Sequence, residues 1–297
     1  MVFINKEGQF NENTWLIDGY LFGGKGSLSL YVIENEGERL LIDTSEKTAA
    51  PLIVKKLKDF KLYPIHKIFL THSHFDHIDA VHTLQDLIKG TKMDILASEN
   101  AIENLENPDL INDVFGAKTE PIKDVIPLKN NEIIDLNGLE LKVLNFFGHT
   151  MDSIALFDSE NKNIFTGDAI LDKSSIHYFQ PTYMPPDFHE DRLLETFQKL
   201  RSMRNQLNSI SLAHYGVWTE EDCTEIIDSM ESLHFITKNS IIEWYKENPS
   251  FNYIARKFHE KFIPNSKILK LGYIGILERQ MEWLIEGLKR SGFIKLN

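Results

Sequence analysis

Cysteine is nearly absent from this chain: Cys223 is the only one in 297 residues. An intramolecular disulfide is therefore excluded, and any bound metal must be held mainly by histidine and carboxylate. That usage fits a reducing compartment. Long apolar runs are missing too, since no segment reaches the roughly 18 to 20 apolar residues that cross a bilayer. The opening "MVFINKEGQFNENTW" lacks the basic start and apolar stretch of a secretory leader. These absences predict a soluble, cytoplasmic protein with no membrane partner. Positive charge is scarce, with 32 Lys and Arg against 44 Asp and Glu and a net charge of −12. Phosphate would be repelled over most of such a surface, so the body as a whole is not a nucleic-acid binder. No internal repeat or low-complexity tract is visible.

What is present divides at about residue 235. The first part mixes short β-type runs with helical patterns. "SLSLYVIE" and "RLLIDT" read as a hairpin across "NEGE", and "IHKIFLTH", "DILAS", "LELKVLNFF", "SIALFDS", "NIFTGDA" and "SISLAHY" read as further strands. Helical spacing marks "TAAPLIVKKLKDF", with Pro51 near its start, "DAVHTLQDLIKG" and "DFHEDRLLETFQKLRSM". This alternation predicts a layered α/β body over residues 1–235. From about residue 219 onward the pattern is wholly helical, and residues 236–297 form a helical appendage. That appendage carries eleven Lys and Arg against six acids, a balance of +5, which leaves −17 on residues 1–235.

The chemistry concentrates in "THSHFDHIDA", residues 71–80, placed directly after the apolar "IFL". In an extended segment alternate side chains share a face, so His72 and His74 can reach one ion from the same side. A turn into the following helix would swing Asp76 and His77 toward a second position. Imidazole and carboxylate donors suit zinc, iron(II) or manganese. A lone histidine at a strand end is ordinarily a surface or capping residue. Here, however, His149 in "FFGHTMDS", Asp168 in "IFTGDA" and His214 in "SLAHYG" also close apolar strands, and so many ligand types at separate strand ends are hard to dismiss.

In their order, "LLIDTS", "THSHFDH", "GHT", "TGDA" and "AHYG" resemble the motifs of the metallo-β-lactamase superfamily, over about residues 15–220. The resemblance implies a four-layer αββα sandwich. It also implies that His72, His74 and His149 hold one metal, that Asp76, His77 and His214 hold a second, and that Asp168 bridges them. Asp43 occupies the family's supporting position beneath the site. Asp79 and Ala80 stand where relatives often carry two glycines, which would place an extra charge near the second metal. Oxygen-reducing flavodiiron relatives usually carry Glu at the position of His74, so that branch is set aside.

Two ions bridged by a carboxylate activate a water and polarise a carbonyl or phosphoryl oxygen. The expected activity is hydrolysis of a small ester, thioester or lactone by a dinuclear centre, zinc first and iron or manganese next, with Asp76 orienting the attacking water. The Pro- and aromatic-rich stretch after Asp168 nominates His177, Tyr178 and Tyr183 for substrate contact. The helical tail resembles the winged-helix-like end domain of certain members, some of them endoribonucleases, so RNA is an alternative substrate. A small molecule stands ahead of it, because the basic residues are scattered and form no run. A mono-iron persulfide dioxygenase and a non-catalytic metal-bound scaffold are further alternatives, and a homodimer is left open.

Overall fold

The structure, a computed structural model, describes residues 3–170, 172–175 and 178–295, with the side chains of 172–175, 178, 221 and 222 left aside. Two sheets face each other. The first runs, in spatial order, β1 (Gly8–Gln9), β2 (Thr14–Asp18), β3 (Ser29–Asn35), β4 (Glu38–Ile42), β5 (Lys67–Leu70), β6 (Asp94–Ser98) and β7 (Val125–Leu128). It is antiparallel from β1 to β4 and parallel from β4 to β7. The second contains β8 (Ile133–Leu136), β9 (Leu139–Asn145), β10 (Ile154–Asp158) and β11 (Asn163–Phe165). It continues through β14 (Ser209–Leu212) to β15 (Gly216–Thr219), with β11 and β14 parallel. A separate ribbon pairs β12 (Asp172–Ser175) with β13 (Tyr178–Gln180).

The predicted hairpin forms with Asn35 opposite Glu38, and Glu36 and Gly37 both have positive φ. That geometry matches the twist of the strands it joins. Alternation along the strands then sorts side chains between layers. On β3, Tyr31 and Ile33 enter the core between the sheets, while Leu30 and Val32 face the outer side. Leu141, Val143, Ile154 and Leu156 meet them from the second sheet. Helices α1 (Ala50–Asp59) and α3 (Val81–Leu87) cover the outer face of the first sheet through Ile53, Leu57, Val81 and Leu84. Between them in sequence lies the one-turn α2 (Phe75–Ile78), and α4 (Ile102–Glu106) and α5 (Asp109–Phe115) follow β6. The outer face of the second sheet is covered by α6 (Glu190–Ser202). The architecture is the expected αββα sandwich.

Strands β2, β7, β8 and β15 escape the hydrophobic-run reading. β7 also contains Pro127, a residue sheets tolerate at an edge, and β7 is the last strand of its sheet.

The tail folds as α7 (Glu221–Glu247), α8 (Phe251–Phe262) and α9 (Ile274–Arg290), with no strand after Thr219 among the described residues. Residue 235, where the composition shifts, lies inside α7 rather than in a linker. The tail's apolar stripes share one continuous core with the second sheet: Phe258, Met281 and Leu284 belong to the same cluster as Phe157, Phe197 and Ile210. Tail and body should therefore unfold in one cooperative transition. Phe258 is fully buried, so Phe258→Ala should lower stability by about 3–5 kcal/mol. Chemical denaturation followed by fluorescence and circular dichroism checks both: coincident curves are expected, and two separated transitions would contradict them.

Candidate metal centre

Every candidate ligand sits just beyond the carboxyl end of a strand, at one edge of the sandwich. His72 and His74 follow β5, Asp76 and His77 lie in α2, His149 follows β9, Asp168 follows β11 and His214 follows β14. Two glycines allow the close approach. Gly148 has a φ of 128°, and a Cβ there would stand 2.3 Å from the Leu193 backbone nitrogen; at Gly167 a Cβ would stand 2.8 Å from Thr71. A side chain at Gly148 would push the His149 loop off α6, and one at Gly167 would push the Asp168 loop off Thr71.

The seven side chains converge. Ligand atoms of His72, His74 and His149 lie within 4.8 Å of one another, as do those of His72, His77 and Asp168, and those of Asp76, His77 and His214. Asp168 spans the groups: its Oδ1 is 3.4 Å from His77 Nε2, and its Oδ2 is 3.6 Å from His149 Nε2 and 3.2 Å from His214 Nε2. Asp76 Oδ2 stands 3.6 Å from His214 Nε2.

Hydrogen bonds behind the cluster choose the tautomers. His149 Nδ1 donates to the Thr182 carbonyl at 2.7 Å, and His214 Nδ1 to the Ser27 carbonyl at 3.1 Å. His77 Nδ1 donates to Asp43 Oδ2 at 2.8 Å. Thr71 Oγ1 donates to the same carboxylate oxygen and receives His72 Nδ1 at 3.1 Å. Four rings are thereby held with Nε2 facing the cluster, the arrangement that orients imidazole toward a metal. His74 is turned the other way, with Nδ1 3.0 Å from His149 Nε2. The Nε2 atoms of His72 and His77 and Oδ1 of Asp168 are buried with no hydrogen-bond partner among the described residues. Orphaned polar atoms are costly in an interior, and a cation between them removes the cost, so this donor set fits a metal.

Electrostatics keep His72 and His74 ready for an ion but leave His77 with a proton that a metal would displace. Burial, reinforced by the neighbouring imidazoles, holds His72 and His74 well below the ordinary histidine pKa and keeps them neutral. For His77 burial works in the same direction, but Asp43, Asp168 and Asp76 outweigh it and push the ring up to about 9. Burial raises Asp168, yet His214, His77 and His149 together hold it well below the usual carboxylate range.

Asp43 occupies the supporting position, in a left-handed conformation with φ 59°. Asp79 does not join the cluster: its Oδ2 accepts the Lys47 amide at 3.1 Å, so its charge caps the turn at 47–49. Ala80 is fully buried, and its amide donates to the Ser45 carbonyl. Of the substrate-contact candidates, His177 and the side chain of Tyr178 lie outside the described residues. Tyr183 requires a correction. It is fully buried among Phe188 and His234 and does not line the cavity at the cluster, so its ring serves the core. That cavity, of about 260 Å³, has His74, Asp76, Asp168 and His214 at its base and Phe22, Phe75, Phe115 and Trp283 in its walls. Apart from Phe75, which sits inside the histidine motif, local sequence gave no signal for these walls, because they come from distant segments. Thr71 was legible in principle, as the residue opening the histidine motif.

A carboxylate-spanned histidine cluster at the edge of an αββα sandwich defines a class, the metal-binding hydrolases of this fold. Residues 23–210 match the family model described as the metallo-beta-lactamase superfamily, and the chain belongs to that superfamily as a metallohydrolase. It is 29% identical over 157 residues to a probable metallo-hydrolase of Methanocaldococcus jannaschii, covering 52% of this chain and 71% of that one. A hydroxyacylglutathione hydrolase of Ruegeria pomeroyi is 26% identical over 135 residues, 46% of this chain and 44% of the relative. Among solved structures, a metallo-beta-lactamase family protein of Thermus thermophilus superposes with a TM-score of 0.63 at 16% identity, covering 93% and 92% of the two chains.

Two outcomes follow. Asp43→Asn keeps every ligand but removes the charge that orients His77 and, through Thr71, His72; metal affinity should fall about 10- to 100-fold in a competition titration against a chelator. Behind His149, Asp187 accepts the Met151 amide at 3.0 Å, and burial together with Asp152 raises its carboxyl to about 6. A raised carboxyl favours the folded state only when protonated, so its charge costs stability above pH 6 and the cost vanishes as pH falls toward 4. Asp187→Asn should stabilise by roughly 2 kcal/mol at pH 7.5 and by nothing below pH 4, measured as the difference between variant and parent melts across that range.

Proposed function

We propose that the chain holds two divalent ions, zinc first, and hydrolyses a small ester, thioester or lactone. His72, His74 and His149 hold one ion, Asp76, His77 and His214 the other, and Asp168 both. When bound, such a pair lowers the pKa of a shared water toward neutrality and polarises the oxygen of an acyl group. The remaining work belongs to side chains. Asp76 is the ligand at the base of the cavity that keeps some solvent access, and its carboxylate accepts a hydrogen bond from the attacking water and aims it. The aromatic walls exclude bulk water, which strengthens every electrostatic interaction at the base. In the net reaction the water oxygen joins the acyl carbon and the carbon–oxygen or carbon–sulfur bond breaks. One proton stays with the acid formed and the other goes to the departing alcohol or thiol.

The observation that carries this reading is the cavity of about 260 Å³ opening directly onto a carboxylate-spanned double cluster. The hydroxyacylglutathione hydrolase relative supports acyl transfer to water. RNA is less well supported, because cations of the tail are engaged within the chain: Lys238 with Glu190 and Arg290 with Glu286. Lys261 and Lys289 lie over aromatic rings. Two adjoining ligand groups also favour two ions over the single iron of a dioxygenase.

Purified protein should contain about two ions per chain and hydrolyse members of an ester, thioester and lactone panel while leaving single-stranded RNA intact. His72→Ala and Asp168→Ala should lose metal and activity together, at least about a hundredfold. A His72→Ala protein that keeps both contradicts the assignment. One iron per chain with oxygen uptake on a persulfide would replace it.

A further inference from the structure

The cavity above the cluster does not end at its aromatic walls. A second cavity, of about 580 Å³, lies against it, and the two share Phe22, Phe75, Phe115, Ile276 and Trp283. Phe22 and Ile276 remain 66% and 60% exposed at this junction. Phe22 is held on a turn in which it and Tyr20 both adopt left-handed backbone, φ 52° and 50°. Such conformations cost energy in non-glycine residues and cluster at functional sites. The outer cavity changes character. It is lined by Lys47, Lys118 and Arg279 against Glu46 and Asp79, and the Asp79 carboxylate is occupied by the Lys47 amide. Lys118 has no ion-pair partner among the described residues. Arg279 lies over the Trp283 ring at 5.7 Å and meets Glu282 in a solvent-exposed ion pair, which an anionic ligand can exchange. Three cations against two carboxylates leave this opening with a balance of +1 in a chain of net charge −12.

We propose that the substrate's non-reacting arm is apolar beside the scissile bond and ends in an anionic group held by Arg279, Lys118 and Lys47. This specificity rests on the hydrolase reading above. A substrate with its acyl carbon at the candidate cluster can extend outward through the aromatic junction and into the cationic opening. The junction offers little to a peptide-like arm. Its only hydrogen-bonding side-chain atom, Trp283 Nε1, is a single buried donor with no partner among the described residues, and amides left unpaired there would lose their hydration without replacement. An alkyl or aryl arm loses nothing of that kind and gains from burial. Helix α9 supplies Ile276, Arg279 and Trp283 and is thereby assigned a role in recognition.

The test uses the metal-loaded full chain and acetyl thioesters of ω-substituted alkanethiols, each arm ending in a carboxylate, a methyl ester or a trimethylammonium group. The specificity constant kcat/KM should rise about fourfold per added methylene until the inner cavity is filled. Carboxylate arms should exceed ammonium arms by about tenfold, the product of factors of roughly two to three from each exposed cation. The double variant Lys118→Glu, Arg279→Glu should invert that preference, a result that general damage cannot produce. Arg192→Gln, remote from both cavities, should leave the preference as it is. Equal turnover of carboxylate and ammonium arms, or a preference that survives the double variant, overturns the proposal alone. Failure to hydrolyse any member of the series, or any ester or lactone, overturns the hydrolase reading beneath it.

Discussion

One carboxylate organises this molecule's chemistry. Asp43, at the end of β4, accepts the Thr71 amide, the Thr71 hydroxyl and His77 Nδ1, each at 2.8 Å. It thus ties the end of one strand to the loop that leaves its parallel neighbour, and it fixes two imidazoles, one directly and one through a threonine. Parallel pairing of β4 with β5 brings those ends together. The left-handed backbone at Asp43 and Ser45 is the strain the fold accepts in return. The other half of the centre is anchored in the same manner by backbone carbonyls, Thr182 for His149 and Ser27 for His214. Geometry at the edge of the sandwich is set from behind the ligands rather than by the ligands themselves.

Much of this was legible in the chain. Period-two patterning on "SLSLYVIE" and "RLLIDT" gave the hairpin and the two faces it presents, because alternate burial is a local property of a strand. The candidate cluster was legible for a related reason: its residues follow the ends of four apolar strands, β5, β9, β11 and β14, so sequence position already encodes position at one sheet edge. What Asp79 binds was not legible. Its actual partner is the backbone of Lys47, thirty-two residues earlier, and such a side-chain-to-backbone bond leaves no trace in residue spacing. Tyr183 was misread because aromatic content alone does not distinguish a cavity wall from a core. The walls are Phe22, Phe75 and Phe115, which meet one another in the body, and Trp283, which joins them from α9.

That docking changes how the tail is understood. A balance of +5 on residues 236–297 invites a polyanion, but the tail's apolar residues belong to the core of the second sheet and several of its cations are paired internally. The helices extend the sandwich and complete the entrance to its metal edge. In the proposed reading the superfamily's hydrolytic centre supplies the reaction, while α9 and the strained turn at Phe22 set what reaches it.

The central claim is the pair of ions, and anomalous diffraction from crystals of the protein loaded with zinc or manganese tests it most directly. Two peaks are expected, one within bonding distance of His72, His74 and His149 and the other of Asp76, His77 and His214, with Asp168 touching both. A single peak, or two peaks that leave Asp168 uncoordinated, would contradict it.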